Sequence, residues 1–162
     1  EAIRMMDRIA NEVQNDPNYN AIVHATRTPP QETAADAIAA AAHTVADTLK
    51  LASIICYTAT GSTALRVARE RPGLPVIGLS PVVATGRKLA MAWGVHCVLT
   101  SDPENQAAMV RKACRIAFEE GFAKAGEGVV IVAGVPLGSP GTTNMVRIAY
   151  LDDAGNPMAE GP

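Results

Sequence analysis

The chain has 162 residues, 14 of them Lys or Arg and 16 Asp or Glu, for a formal net charge of −2; 48% are hydrophobic and 4% aromatic. That length suits one domain with one core, and the apolar content is above that of a disordered segment. No Lys/Arg run exceeds two residues, which argues against nucleic acid as the main partner, and no run of about 18 apolar residues is present to span a membrane.

The first residues carry Arg4, Asp7 and Arg8 where a signal peptide needs an apolar core. The start at Glu1, without Met, suggests a piece of a longer chain. Ile3, Met6, Ile9, Ala10 and Val13 recur at helical spacing and predict an amphipathic helix over Ala2–Val13. Asn15–Asn20 breaks that pattern around Pro17, and residues 20–32 read as irregular or extended, stiffened by Pro29 and Pro30. Thr33 with Asp36 resembles a capping box, opening a helix to about Lys50 with Ile38, Ala42, Val45 and Leu49 on its buried face.

From there strands and helices alternate. Strands are expected at Ser53–Tyr57, Pro75–Leu79, Val95–Leu99, Val129–Ala133 and Asn144–Tyr150. Helices are expected at Ser62–Arg69, at Val83–Trp93 ended by Gly94, and from an N-cap at Asp102 with Pro103 to about Lys124. The strands are continuous apolar runs, as strands covered on both faces should be. Only about ten residues join the last two, too few for a helical crossover, so the last strand is expected to be antiparallel. The expected fold is a three-layer α/β/α domain with a five-stranded, mostly parallel sheet. Asp152–Pro162 is polar and reads as a frayed tail. Cys56, Cys97 and Cys114 are odd in number and have no metal-type spacing, and Cys56 and Cys97, in strand-like runs, read as small buried apolar residues, which points to the reducing cytoplasm.

Open α/β sheets bind ligands beyond the carboxyl ends of their strands. Two loops lie there. The first is Thr58-Ala-Thr60-Gly61-Ser62-Thr63, where Gly61 permits a tight turn and the amides of Gly61, Ser62 and Thr63 would face an anion at a helix N-terminus. Four hydroxyls in six residues are more than a plain N-cap needs. The second runs from Gly134 to Asn144, through Gly138, Ser139, Gly141 and Thr142, and reads either as a cover for a ligand on the first loop or as a long hairpin connection. Phosphate-loop, dinucleotide-binding and nucleophile-elbow motifs are absent, and His24, His43 and His96 have no ligand spacing. Asp152-Asp153 reads as a solvated turn, and Arg87 and Lys88 as solvent-facing.

Together these two loops resemble the C-terminal domain of pyruvate kinase. So do Glu1–Ala10, similar to the helix that leads out of that family's catalytic barrel, and Ala64–Arg71 with its Arg-x-Arg-Pro ending before Pro75-Val-Ile. The resemblance covers about residues 1–151, and divides the chain into a leading helix (1–15), the α/β domain (16–151) and a tail (152–162). It implies a regulatory and assembly domain whose barrel, with its magnesium and potassium, lies outside this chain. In that family phosphoryl transfer between phosphoenolpyruvate and ADP takes place in the barrel, so this chain alone is expected to be inactive. The resemblance further implies a homotetramer, and effector-phosphate contacts at Thr58, Thr60, Gly61, Ser62 and Thr63, with Gly138, Ser139, Gly141 and Thr142 closing over the ligand. Family members activated by fructose 1,6-bisphosphate often place a Lys or Arg in or near the first loop. Here that loop carries Ala59 and no basic residue, which favours a sugar monophosphate or nucleoside monophosphate. An independent phosphate-binding or structural domain and a stand-alone enzyme are the competing readings.

Overall fold

The computed structural model describes residues 1–25, 29–136 and 141–159. The chain runs α1 (Ala2–Gln14), α2 (Tyr19–Ala25), α3 (Ala34–Thr48), β1 (Ser53–Tyr57), α4 (Ser62–Arg69), β2 (Val76–Ser80), α5 (Val83–Leu89), β3 (Val95–Leu99), α6 (Gln106–Glu119), β4 (Gly128–Gly134) and β5 (Thr143–Tyr150). The five strands form one sheet in the order β3-β2-β1-β4-β5. The first four are parallel, and β5 pairs antiparallel with β4. The three-layer arrangement and the antiparallel last strand are as the sequence predicts.

Alternation along the strands builds two cores. Ile54, Cys56, Val76, Val130 and Val132 face α3, α4 and Leu89 of α5. Ile55, Tyr57, Ile77, Leu79, Val129 and Ile131 face Met109, Val110, Ala113, Cys114 and Ala117 of α6. Every residue of β1 and β2 is buried, whereas the edge strand β3, paired on one side only, is half open to solvent. Helix α3 meets the sheet through Ala39, Ala42 and Ala46, small side chains that allow close approach. The predicted face is thus rotated: Ile38 and Val45 flank the contact, and Leu49 is 46% exposed at the helix end. In an Ala-rich helix every face is apolar, so packing rather than periodicity selects the buried one.

Other boundaries shift for local reasons. Residues 19–25, read as irregular, form α2, which presents Ile22 to solvent. Helix α5 stops at Leu89, four residues short of Trp93. Helix α6 begins at Gln106 rather than after Asp102, because Asn105 Oδ1 accepts the Ala108 amide (2.9 Å) and serves as the cap, and it ends at Glu119. The expected frayed tail is instead folded back as far as Met158. Asp152 carboxylate oxygen accepts the amides of Ala154 and Asn156, and the Met158 amide donates back to Tyr150. Gly155 sits at φ +76° against Phe118, where a Cβ would fall 2.7 Å from the ring.

The capping pair at α3 is half realised. Thr33 Oγ1 accepts the Asp36 amide at 3.2 Å, but the Asp36 carboxylate turns elsewhere. It accepts from Gln31 N, Arg66 Nε and Arg69 Nη2, each at 3.0 Å, while 1% exposed. Burial alone raises its pKa; the Arg69 hydrogen bond, the Gln31 amide and the two guanidinium charges outweigh that and hold the carboxyl below the usual range.

Two outcomes follow. Asp36→Asn should cost about 3 kcal/mol at neutral pH in denaturant unfolding, the lower end of the range for breaking a buried pair because both arginines reach solvent. A depressed carboxyl pKa stabilises the fold above the unfolded value of about 3.9, and that contribution is lost as pH falls through the folded value, so the gap between wild type and Asp36→Asn should begin to narrow near about pH 4 and close below the folded value. Gly155→Ala should lower stability by about 1–3 kcal/mol in thermal unfolding if the closed tail is part of the fold; a neutral change would contradict it.

Candidate functional site

Strand order places a crevice at one point of the sheet. From β1 the chain crosses by α4 to β2 on one side, and from β4 it turns to β5 on the other. Adjacent parallel strands whose connections diverge leave a gap beyond their carboxyl ends. The turn at residues 58–61 leaves β1 there, and the segment after Gly134 leaves β4 there.

The Thr58–Thr63 hydroxyls divide into different tasks. Thr58 is buried, and its Oγ1 accepts the Gly61 amide at 2.9 Å. That bond corrects one expectation: the Gly61 amide is turned inward and is not presented to a ligand. Gly61 is the N-cap of α4 at φ +86°, a left-handed conformation that suits glycine, and its missing Cβ would sit 3.3 Å from Leu89. Thr85 of α5 donates its hydroxyl to Ala59 O at 2.7 Å and pins the turn from outside. Thr63 is also buried, its Oγ1 2.8 Å from Thr143 Oγ1. Thr60 is exposed and Ser62 half-buried, with the Thr60 hydroxyl donating to Ser62 Oγ at 3.2 Å.

Helix α4 therefore starts with an open end. Its N-cap has no side chain to accept an amide, and its first turn holds no acidic residue. Helices α3 and α6, by contrast, are capped by Thr33 and Asn105. The Ser62 and Thr63 amides belong to a first turn that has no intrahelical acceptors, and the peptide dipoles add positive potential there. At the other end of α4, Arg66 and Arg69 are engaged by Asp36.

The second loop reaches the same place. The Thr63–Thr143 bond ties the start of α4 to the start of β5. Asn144 then clamps the loop's near end, donating Nδ2–H to Val135 O (2.7 Å) and accepting Val135 N–H on Oδ1 (2.8 Å). Gly141, at φ +85°, and Thr142 are exposed beside this junction. A Cβ at Gly134 would fall 2.6 Å from Thr142 Oγ1, so the loop closes tightly on the strand end. Gly138 and Ser139 lie outside the described residues. Thr85 is the contributor the sequence reading missed, since its bond to Ala59 spans 26 residues and leaves no local signature.

Other chemistry is sparse. Among the described residues no group of three or more His, Cys, Asp or Glu is arranged to hold a metal ion, and no helix is long and apolar enough to cross a membrane. The thiols of Cys56, Cys97 and Cys114 are free, and burial raises the pKa of each, that of Cys114 to about 11.

Comparison with known proteins locates this architecture. The family model described as the pyruvate kinase alpha/beta domain matches residues 36–149. A pyruvate kinase of Methylorubrum extorquens is 51% identical over 151 residues, 93% of this chain and 32% of the relative. Pyruvate kinases of Clostridium acetobutylicum and Agrobacterium vitis are 35% and 34% identical over 94% and 91% of the chain. The chain spans about a third of the length of these curated relatives. The matched region holds both loops and every strand up to Ala149, and on these similarities the chain belongs to the pyruvate kinase α/β-domain family.

Proposed function

We propose that this chain is the regulatory and assembly part of a cytoplasmic pyruvate kinase, and that the β1–α4 turn holds the phosphate group of a regulatory ligand. The observation that carries this reading is the uncapped, acid-free N-terminus of α4 at the sheet's switch point, joined to the β4–β5 loop through Thr63 and Thr143. The Ser62 and Thr63 amides and the Thr60 and Ser62 hydroxyls supply donors to phosphate oxygens. Thr58 and Gly61 set the shape of the turn. Gly138, Ser139, Gly141 and Thr142 belong to the segment that closes over the ligand. In the whole enzyme the catalytic barrel carries phosphoryl transfer between phosphoenolpyruvate and ADP, giving pyruvate and ATP, with magnesium and potassium bound there. The α/β domain contributes to a homotetramer and conveys ligand occupancy to it.

Charge selects the ligand. A phosphate monoester carries about −1.5 to −2 at neutral pH, and a helix N-terminus offers roughly half a positive charge. No basic residue lies within residues 58–63 to neutralise a second phosphate, so a sugar monophosphate or a nucleoside monophosphate suits the turn better than a bisphosphate.

Calorimetric titration with glucose 6-phosphate, AMP and fructose 1,6-bisphosphate should give the tighter binding with one of the monophosphates. Ser62→Glu places a carboxylate at the first helical position, where it occupies the anion site and favours the helix. It should weaken binding at least about tenfold, the loss of one charge-assisted contact, and binding that survives unchanged would remove the site. Thr63→Val deletes half of the buried hydroxyl pair and leaves Thr143 unsatisfied. It should cost about 1–3 kcal/mol of stability and weaken the same ligand, measured by urea unfolding and calorimetry on one preparation.

A further inference from the structure

Helix α4 has a second working end. Its eight residues span about 12 Å, and the last turn directs Arg66 Nε and Arg69 Nη2 onto the two oxygens of one buried carboxylate, Asp36, at 3.0 Å each. A plain capping box would send that carboxylate back to the Thr33 amide. Thr33 N instead donates to Gln31 O (2.7 Å), and Asp36 Oδ2 accepts Gln31 N (3.0 Å). Arg69 also reaches Glu70 Oε1, itself 1% exposed, at 3.4 Å. One carboxylate therefore binds three segments: α4, the first turn of α3, and the connector at residues 31–33 that precedes α3.

The charges run head to tail. The open positive end of α4 faces the candidate site, its negative end meets Arg66 and Arg69, these meet Asp36, and Asp36 lies in the first turn of α3. A helix this short moves as a unit. A displacement at Ser62 and Thr63 is delivered to the arginines at the other end, and the carboxylate is where it meets the preceding chain.

We propose that Asp36 is a positioning residue that relays occupancy of the α4 N-terminus to residues 31–37. This rests on the reading of that terminus as an anion site, and the experiment separates the two. Amide hydrogen exchange is followed on the full chain with and without saturating AMP and, separately, inorganic phosphate. In wild type, exchange should slow at residues 62–64, and also at Gln31, Asp36 and Ala37, by about fivefold or more, the lower bound of typical coupling between sites. Asp36→Asn keeps an acceptor for Gln31 N but loses the charge; it should retain the response at 62–64 and lose that at 31–37. Arg66→Gln leaves Arg69 and Gln31 on the carboxylate, serves if Asp36→Asn fails to fold, and should weaken the distant response while sparing the near one. Slowing at 62–64 without slowing at 31–37 in wild type overturns the relay and leaves the anion site standing. An unchanged distant response in Asp36→Asn or Arg66→Gln overturns it as well. No response at 62–64 overturns the anion site, and the relay with it.

Discussion

The contact on which the candidate site depends is a pair of hydroxyls. Thr63 Oγ1 and Thr143 Oγ1 meet at 2.8 Å, buried, eighty residues apart in sequence. One hydroxyl donates to the other, and both residues are buried, so separating them strands two buried polar groups. The pair exists because β1 and β4 are neighbours whose connections diverge. That topology brings the start of α4 and the start of β5 to the same end of the sheet. With Asn144 clamping Val135, the β4–β5 loop is fixed on both sides of its root, beside the α4 terminus.

Helix α4 is built asymmetrically around this contact. Its basic last turn is compensated by a buried acid, while its first turn is left without cap or carboxylate. Evolution routinely closes helix N-termini with Ser, Thr, Asp or Asn side chains, as α3 and α6 of this chain show. In the β1–α4 turn the nearest such side chain, Thr58, is spent on the Gly61 amide, and that bond sets the turn's shape. The result is a rigid, positively polarised end held by Thr85 and Leu89 from α5. Rigidity matters here, because donors already in place lose little entropy when an anion arrives.

Much of the fold was readable because its determinants are local. The runs Ile54–Cys56 and Val129–Val132 are apolar throughout, as strands covered on both faces must be, and the short final connection forces β5 antiparallel. The exceptions are instructive. Asp102-Pro103 has the form of a helix start, yet Pro103 is buried ahead of the helix and Asn105 does the capping. Tyr19–Ala25 is a short helix with an exposed apolar residue, and no periodic pattern announces it. The roles within the Thr58–Thr63 turn were legible as a cluster of hydroxyls but not one by one. Thr63 finds its partner 80 residues away and Ala59 finds Thr85 26 residues away, so only the folded sheet distinguishes structural hydroxyls from presented ones. The Asp36 network is similar: Thr33 and Asp36 look like a cap, and the arginines that claim the carboxylate lie a helix and a strand further on.

Whether a phosphate group sits on the first turn of α4 is tested most directly by amide NMR of the labelled protein during titration with AMP and with glucose 6-phosphate. The Ser62 and Thr63 amide resonances should move furthest, downfield as new hydrogen bonds form, with Gly141 and Thr142 following and Gly61, already bonded to Thr58, moving less. Saturable binding that shifts resonances elsewhere while Ser62 and Thr63 stay in place would contradict that placement.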